Sequence, residues 1–301
     1  MKKILILGSR GFIGNRVAQF ALLNDYAVHG IDLVEYENSI YPYKKLSISS
    51  IDFIDYLAQN KFDIIINCAG SGNVGYSIDH PLSDFELNTK TVFYVLESIR
   101  LHQPNCRYIH LSSAAVYGNP HQLPISENSP MSPISPYGFH KWQSEIICRE
   151  YAELFNIPIL ILRPFSVYGP GLRKQLLWDI FQQTKNRDSI ELWGSGQETR
   201  DFIHIDDLCQ IILKISIQEL PALEVLNIAT GKSISVSRIS ALLIKNLQIK
   251  KQITFNQIDK KGYPSLWEAD VSKLAKYGIT ANISIEEGIA GTATWLLSNE
   301  Q

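Results

Sequence analysis

Short apolar runs and amphipathic segments alternate along the first two-thirds of the chain, and few folds accept that order. The apolar runs predict strands at residues 3–7, 27–33, 62–67, 107–112 and 158–162. Apolar residues at helical spacing predict helices at residues 12–23, 50–59, 82–100 and 137–155. Strands that alternate with helices pair in parallel through right-handed crossovers. The sequence therefore predicts an α/β fold with a doubly wound parallel sheet.

The regular alternation ends after Arg163. Residues 166–200 mix Gly, Pro, Trp and Arg and predict no regular β-α unit. Beyond them we predict strands at 201–205, 225–229 and near 253–255, and helices from Asp206, near 236–247 and near 285–297. We expect two domains, a sheet domain and a smaller, discontinuous C-terminal lobe over the C-terminal edge of the sheet. The sheet domain comprises residues 1–165 and 201–232, and the lobe comprises residues 166–200 and 233–301.

The composition excludes several classes of protein. Of the 301 residues, 45% are apolar and 19% are charged, and a net charge of −2 offers no basic surface to nucleic acid. The first apolar run ends at Gly8, too short for a secretory signal, and no stretch approaches the roughly 18 apolar residues of a membrane span. We expect a cytoplasmic protein without a metal site, because its cysteines lack metal-ligand spacing and are interpreted as reduced thiols (Cys68, Cys106, Cys148 and Cys209).

A glycine-rich loop joins the first predicted strand to the first predicted helix. Gly8, Gly11 and Gly14 stand where glycine permits a tight turn and a close backbone approach to a pyrophosphate. The N-terminus of the next helix offers free N–H groups and a positive dipole to the phosphates. The spacing is GxxGxxG, whereas the commoner Rossmann fingerprint is GxGxxG. The strand–loop–helix context favours a Rossmann dinucleotide site over an ordinary β-α turn.

Asp32, at the end of the second predicted strand, discriminates between dinucleotides. A carboxylate there accepts hydrogen bonds from both hydroxyls of the adenosine ribose and repels a 2′-phosphate, which favours NAD over NADP. Arg10 keeps NADP open, since a basic side chain in the glycine-rich loop can approach a 2′-phosphate. The alternative interpretation of Asp32 is a solvated carboxylate in a loop.

Tyr137 and Lys141 lie four residues apart on a predicted helix and therefore share one face of it. An ammonium nearby, together with the positive charge of a nicotinamide, favours the phenolate and lowers a tyrosine pKa from its ordinary value of roughly 10. Tyr137 then acts as a general base near neutral pH. Ser113 ends the fourth predicted strand, where its hydroxyl can hold the reacting oxygen beside Tyr137.

These residues belong to a longer set of motifs, through which the chain resembles the extended short-chain dehydrogenases of the NAD-dependent epimerase/dehydratase family. The resemblance runs from Lys3 to about Leu297. Besides the residues above it rests on Asn67-Cys68-Ala69-Gly70, Val74-x-x-Ser77-x-x-x-Pro81, Asn88, residues 112–118, Ser135-Pro136-Tyr137-Gly138, Leu162-Arg163-Pro164, Gly194-x-Gly196-x-x-x-Arg200-Asp201-Phe202 and Asn227-Ile228-Ala229-Thr230-Gly231. Enzymes of this family epimerise, dehydrate or reduce nucleotide sugars.

The resemblance implies a role for each matching residue. Ser113, Tyr137 and Lys141 become the catalytic set. Besides Tyr137 and Lys141, the cofactor-binding residues become Gly8, Gly11, Phe12, Ile13, Gly14, Asp32, Ile48, Ala69, Gly70, Asn88 and Pro164. Ser113, Ser166 and Arg200 become substrate-binding, with the Arg200 guanidinium on the diphosphate of the substrate. For Arg200, a salt bridge between domains with an acid such as Asp206 stays open.

The residues after Ser113 bear on the reaction. Dehydratases of the family place an Asp-Glu pair there, whereas this chain has Ala114 and Ala115, which disfavours a 4,6-dehydratase. The surrounding motifs look most like UDP-hexose 4-epimerases, which oxidise C4 and re-reduce it on the opposite face. Residues 169–178 are shorter than the epimerase segment and leave open an NAD(P)-dependent 4-keto-6-deoxy nucleotide-sugar reductase. A non-enzymatic NAD-sensing protein is the third alternative, against which the presence of Tyr137 and Lys141 argues.

The resemblance also implies a homodimer. In this family the helices at 82–100 and 137–155 pair across a two-fold axis as a four-helix bundle. The apolar residues of these helices either form that seam or pack on the sheet: Val92, Val95, Leu96, Ile99, Trp142 and Ile146. His140 and His204 lack ligand spacing and are interpreted as structural. The expected partners are a nucleotide-sugar substrate, bound by the C-terminal lobe, and a second copy of the chain.

Overall fold

The computed structural model describes residues 1–258 and 261–299 of the chain. The strands are β1 (Lys3–Leu7), β2 (Ala27–Asp32), β3 (Tyr43–Lys45), β4 (Ile64–Asn67), β5 (Arg107–Leu111), β6 (Ile159–Pro164), β7 (Ser166–Tyr168), β8 (Ile190–Leu192), β9 (Thr199–His204), β10 (Leu223–Ile228), β11 (Ser233–Ser235) and β12 (Ile253–Phe255). The α-helices are α1 (Phe12–Leu23), α2 (Ile51–Gln59), α3 (Val74–Asp79), α4 (Pro81–Phe85), α5 (Thr91–His102), α6 (Pro136–Phe155), α7 (Gln175–Asn186), α8 (Ile205–Ser216), α9 (Val236–Asn246), α10 (Ser272–Lys276) and α11 (Ile285–Ser298). A π-helical turn (Glu86–Lys90) joins α4 to α5, and a 3₁₀ turn (Ala114–Tyr117) follows β5.

Seven parallel strands form the central sheet, in the order β10-β6-β5-β4-β1-β2-β3. In its middle, Ile4 of β1 pairs with Val28 of β2 on one side and with Ile64 of β4 on the other. The strand order reverses between β1 and β4, and open α/β sheets bind their ligands at such a switch point, beyond the carboxyl ends of the strands. The predicted doubly wound parallel sheet is confirmed.

Alternate side chains of β1 reach opposite faces of the sheet. Ile4 and Ile6 join the apolar cluster beneath α1 and α8, whereas Leu5 and Leu7 join the cluster beneath α2, α5 and α6. All four are fully buried, as expected of a strand that helices cover on both sides. Burial of apolar surface contributes roughly 25 cal/mol per Å² to the free energy of folding. The helices on both faces therefore stabilise the sheet, and the loops that leave its edge start from fixed positions.

The predicted long helix at residues 82–100 is observed as α4, the π-helical turn and α5. The four residues of α5 considered for a dimer seam pack on the sheet, and each is at most 1% exposed: Val92, Val95, Leu96 and Ile99. On α6, Trp142 packs against a cluster around Phe165, and only Ile146 is exposed. The sheet-packing alternative is therefore correct for the four residues of α5, whereas neither Trp142 nor Ile146 packs on the sheet.

The prediction of no regular β-α unit in residues 166–200 is wrong, because β7, α7 and β8 lie there. Leu177, Ile180, Phe181 and Thr184 recur at helical spacing and are buried, but the preceding Gly and Pro residues obscured that signal. α7 shares an apolar cluster with α9 and α11, and β9 pairs with β7 and β11 rather than with the central sheet. The division between the two domains stays a prediction.

The edge strand β3 was not predicted. It has three residues, pairs with β2 at the edge of the sheet and exposes Lys44 and Lys45 to solvent, so it carries no apolar alternation. All four cysteines are free thiols. Within the described residues, no helix has the length and apolar character needed to cross a membrane.

Candidate active site

Two glycines of the glycine-rich loop, Gly8 and Gly14, pack too closely against the backbone for a side chain. Gly8 has φ +73°, and a Cβ there would lie 2.8 Å from the Ala69 backbone. A Cβ at Gly14, inside α1, would lie 2.2 Å from the Gly8 carbonyl oxygen. Gly11 is the N-cap of α1, so the free N–H groups of this 12-residue helix open onto the loop. The three predicted glycines thus form one cradle at the carboxyl end of β1, suited to a pyrophosphate.

Asp32 stands at the carboxyl end of β2, beside this cradle. One carboxylate oxygen accepts the Arg10 N–H at 2.8 Å, and the other accepts the Leu33 N–H at 2.7 Å. These bonds fix the carboxylate at the place where the ribose of a dinucleotide is expected. The Arg10 guanidinium stacks 3.7 Å over the Tyr36 ring, in a cation–π contact.

Asn88 and Gly70 form the far wall of the cradle. Asn88 lies in the π-helical turn and is 1% exposed, and its Nδ2 donates to Asp84 at 3.0 Å. Its Oδ1 is buried without a hydrogen-bond partner in residues 1–258 and 261–299, and it lies 2.5 Å from where a Cβ of Gly70 would be. A buried acceptor is costly when unpaired, so this oxygen fits a donor supplied by a bound dinucleotide. The cradle, Asp32 and Asn88 together fit NAD.

The structure brings Ser113, Tyr137 and Lys141 together at the carboxyl end of β5. Ser113 is the N-cap of the 3₁₀ turn and accepts the Ala115 N–H at 3.1 Å. Tyr137 lies in the first turn of α6, where its N–H donates to Ser77 Oγ at 3.1 Å. The Lys141 Nζ lies 6.0 Å from the centre of the Tyr137 ring. The i, i+4 prediction for this pair is therefore correct in its geometry.

Burial dominates the ionisation of this set. It raises the pKa of Tyr137 to about 12, while a hydrogen bond with Ser113 acts in the opposite direction and the Asp84 charge adds to the rise. The lowering of this pKa by Lys141 together with a bound nicotinamide stays a prediction. Lys141 is itself desolvated. Its pKa falls to about 8 on burial, and its Nζ donates to the Leu111 carbonyl at 2.9 Å.

A fully matched ion pair lies one helical turn further along α6. Glu145 accepts from Arg163 Nε at 2.9 Å and from its terminal nitrogen at 2.6 Å, and both residues are at most 1% exposed. Glu145 also accepts the Ser112 hydroxyl at 2.5 Å, and Arg163 donates to the Tyr117 hydroxyl at 2.7 Å. The pair therefore braces both ends of the segment that carries Ser113.

A cavity of about 940 Å³ opens between α7 and the strands β7 and β9. Its lining includes Gly262, where a Cβ would lie 3.3 Å from the Cβ of Ser135, two residues before Tyr137. Ser166 and Arg200 line it, as predicted for substrate-binding residues. Arg200 donates to the carbonyls of Thr199 and Ser265, and burial lowers its pKa to about 10. The alternative of a salt bridge with Asp206 is wrong, because Asp206 pairs with Arg16 at 2.6 Å.

The remaining predicted residues lie around this centre at differing distances from it. Phe12 faces Gly171, whose Cβ would lie 3.5 Å from the Phe12 ring, while Ile13 packs on the core. Pro164 ends β6 and is buried. Ile48 is 8% exposed and belongs to the core cluster beneath α2, so the structure gives its side chain no opening to the cradle.

Four further polar residues make contacts at the site that the sequence did not indicate. Ser77 fixes the first turn of α6, and Lys174, just before α7, lines the cavity near Gly72. Asp84 and His140 form a buried pair between α4 and α6. No local pattern joins these two residues, although Asp84 lies four residues before Asn88 and His140 directly precedes Lys141.

Comparisons with known proteins agree with this geometry. The model of the NAD dependent epimerase/dehydratase family matches residues 4–229. A Bacillus subtilis protein described as an uncharacterized UDP-glucose epimerase is 30% identical over 98% of each chain. The UDP-glucuronate 4-epimerase of Thermodesulfobacterium geofontis is 27% identical over 98% of this chain and 96% of its own length.

A solved structure extends the likeness to the whole fold. The UDP-glucuronic acid 4-epimerase of Bacillus cereus, in complex with UDP-glucuronic acid and NAD, has a TM-score of 0.90 and 27% identity. The alignment covers 98% of this chain and 99% of that one. The resemblance, the enzyme class and NAD as the cofactor are confirmed. The chain belongs to the NAD dependent epimerase/dehydratase family.

Proposed function

We propose that this protein is an NAD-dependent nucleotide-sugar 4-epimerase that acts on a UDP-hexose. The observation that carries the proposal is that Ser113, Tyr137 and Lys141 meet at the carboxyl end of β5, on the same edge of the parallel sheet as the glycine cradle. The 940 Å³ cavity is lined by Val74 and Ile134, from the segments that precede Ser77 and Tyr137. NAD, when bound, accepts a hydride from the sugar and returns it. Everything else in the reaction falls to the residues of the chain.

Tyr137 is the proposed general base. Its hydroxyl takes the proton of the C4 hydroxyl as C4 is oxidised, and returns it when the ketone is reduced on its other face. Ser113 hydrogen-bonds the same sugar oxygen and holds it beside Tyr137. Because burial raises the pKa of Tyr137 to about 12, ionisation near neutral pH depends on positive charge brought by the cofactor.

The elimination of water lacks an acid in the expected place. The 3₁₀ turn directly after Ser113 begins with Ala114, which is buried, and Ala115. Because both residues are alanine, neither position offers a carboxyl group to the sugar. A 4,6-dehydratase needs a proton donor for the departing hydroxyl. The turn after Ser113 therefore supports epimerisation over dehydration.

Arg200 is the proposed ligand of the substrate diphosphate, at the end of the cavity near β9. A guanidinium matches phosphate oxygens in a bidentate geometry. Lys174 lines the same cavity, and the loss of hydration there lowers its pKa. Within residues 1–258 and 261–299 its Nζ has neither an ion pair nor a hydrogen bond, so a second anionic group of the substrate fits beside it.

The proposal includes a homodimer in the cytoplasm. Apolar side chains on the outer faces of α4, α5 and α6 support the dimer, because they are 36–51% exposed: Phe85, Phe93, Phe139 and Ile146. Sedimentation at micromolar concentration should show a species of twice the 34.1 kDa chain mass. A species at the chain mass would exclude the dimer.

A proton-NMR assay tests the reaction. Purified protein with catalytic NAD and no reductant is incubated with UDP-glucose, UDP-galactose, their N-acetyl analogues and UDP-glucuronate. Appearance of the C4 epimer of one substrate, abolished by Tyr137→Phe, establishes the epimerase. Absence of any epimer, together with stoichiometric use of a reduced dinucleotide on a 4-keto-6-deoxy sugar nucleotide, replaces it with the reductase.

A further inference from the structure

Asp84 and His140 form a buried pair that the proposed reaction does not use. The Asp84 side chain is fully buried, and its Oδ2 lies 2.6 Å from His140 Nδ1. The backbone carbonyl of His140 accepts the Thr89 hydroxyl at 3.0 Å, and the Phe85 ring packs edge-on against the imidazole. A buried carboxylate is costly unless paired, so His140 is the group that makes Asp84 tolerable in this place.

The other oxygen of Asp84 determines the orientation of Asn88. It accepts the Asn88 Nδ2 at 3.0 Å, which fixes which end of the carboxamide is the donor. The Asn88 Oδ1 therefore faces Gly70 in the cradle and has no partner among the residues that the structure describes. Without Asp84 the carboxamide is free to rotate, and its acceptor loses its direction.

The pair also lies within the electrostatic reach of the catalytic set. His140 directly precedes Lys141, and the Asp84 charge acts on both Tyr137 and Lys141, raising the pKa of each. A protonated His140 makes the pair neutral overall, whereas a neutral His140 leaves the Asp84 charge uncompensated beside Tyr137.

The other charged groups on the packed elements leave this effect dominant. On α6, Glu145 is committed to Arg163. In the π-helical turn, Glu86 and Lys90 pair with each other at the surface, 3.2 Å apart. Asp79 and His80, at the junction of α3 and α4, are exposed, so solvent screens them.

We propose that Asp84 and His140 are positioning residues: Asp84 aims the Asn88 carboxamide oxygen at the cofactor, and His140 offsets the Asp84 charge beside Tyr137. The second half rests on the proposed function, in which Tyr137 is the general base. The first half concerns only NAD binding and is independent of which sugar reacts.

The affinity for NAD tests the first half. Asn88→Ala and Asp84→Ala should each weaken NAD binding about tenfold by calorimetry, because each removes or misdirects the same hydrogen bond. The double variant should bind NAD no more weakly than Asn88→Ala alone, since both changes act on one contact. Independent, multiplying losses would contradict the orientation of Asn88 by Asp84.

The pH dependence of kcat in the NAD-bound enzyme tests the second half. His140→Gln removes the imidazole that can carry a proton against Asp84 and should move the rising limb of the profile to a pH about one unit higher. Asp84→Asn removes the negative charge and should move it to a pH about one unit lower. The exposed His80→Gln serves as the matched control and should leave the profile in place.

Opposite displacements by these two variants support the pair, and displacements of the same sign or none overturn it. If Asp84→Asn does not fold, the His140→Gln displacement decides alone. Retention of full turnover by Tyr137→Phe would contradict the proposed function itself. With Tyr137→Phe inactive and both profiles unmoved, only the role of the pair fails.

Discussion

Lys141 and Glu145 stand one turn apart on α6, both almost fully buried, yet their surroundings differ. Glu145 meets the Arg163 guanidinium through two hydrogen bonds and also accepts the Ser112 hydroxyl. Lys141 donates to a single backbone carbonyl and has no carboxylate against it within the described residues. The buried carboxylate of Glu145 is therefore paired with an opposite charge, whereas the buried ammonium of Lys141 is not.

This difference distinguishes a residue that stabilises the fold, Glu145, from a residue of the proposed catalytic set, Lys141. A matched pair holds its segment rigid, and although burial opposes the charge, Glu145 raises the pKa of Arg163. An unmatched group is destabilising and is retained where its protonation is useful. Tyr137, next to Lys141, shows the same imbalance, with its pKa raised to about 12 by burial. The comparison therefore predicts opposite effects for substitutions along one helix.

The largest effect is expected on turnover at Tyr137. Tyr137→Phe keeps the ring in its packing and removes the hydroxyl, so kcat should fall about 10²- to 10⁴-fold, the usual contribution of a general base. The free energy of unfolding should change by less than about 1 kcal/mol, because one hydrogen bond, with Ser113, is lost. Turnover and urea unfolding of the same preparation check both statements.

Breaking the matched pair should instead affect stability. Glu145→Met leaves the Arg163 guanidinium buried without its partner, and the free energy of unfolding should fall by about 3–5 kcal/mol. The double variant Glu145→Met/Arg163→Met should recover part of this loss, because no buried charge is left. A double variant less stable than Glu145→Met would contradict the interpretation of this pair as mutual compensation.

Removing the unmatched charge should stabilise the protein. Burial lowers the pKa of Lys141 from 10.5 to about 8, so below pH 8 the folded state holds a destabilised ammonium. Lys141→Met should therefore raise the free energy of unfolding at pH 7 by up to about 3 kcal/mol. The gain should shrink between pH 8 and pH 10.5, where wild-type Lys141 is neutral in the folded state and the unfolded chain still binds the proton.

Unfolding of Lys141→Met and wild type across that pH range measures the difference directly. A variant less stable than wild type at pH 7 would show that the bond to the Leu111 carbonyl outweighs the desolvation of the ammonium. Turnover of the same variant should be lost. The substitution would then stabilise the protein and abolish its activity.

The smallest effect is expected at the rim of the cavity. Lys174→Met keeps the length of the side chain and removes its charge, so KM for the nucleotide sugar should rise about tenfold with kcat little changed. Lys232→Met, at an exposed lysine outside the cavity lining, is the matched control. Equal KM values for wild type and Lys174→Met would exclude a contact between Lys174 and the substrate.

Much of the cofactor half was predictable because its signals are local. Gly8, Gly11 and Gly14 are confined to one β-α turn, and Tyr137 and Lys141 share one helix, so spacing together with the strand and helix context predicted where each group lies in the fold. Asp32 followed from the end of a strand. Local patterns of this kind survive folding because the turn or helix that creates them is also the unit that binds.

The supporting contacts were not predictable, because each joins elements far apart in the chain. Arg163 was known only as the end of a strand, and nothing nearby indicated that Glu145 would meet it across 18 residues. The pairing of Asp84 with His140 spans 56 residues. The rise in the pKa of Tyr137 on burial was not predictable for the same reason, since desolvation depends on the whole surrounding fold.

The fate of a deuterium label at C4 tests the central claim most directly. UDP-galactose carrying deuterium at C4, or the substrate found in the NMR panel so labelled, is incubated with the NAD-bound enzyme in ordinary water. Oxidation and re-reduction within one site predict a C4 epimer that retains the deuterium at C4. An epimer in which C4 carries protium from solvent would contradict the account, because its hydrogen would then have left as a proton rather than as a returned hydride.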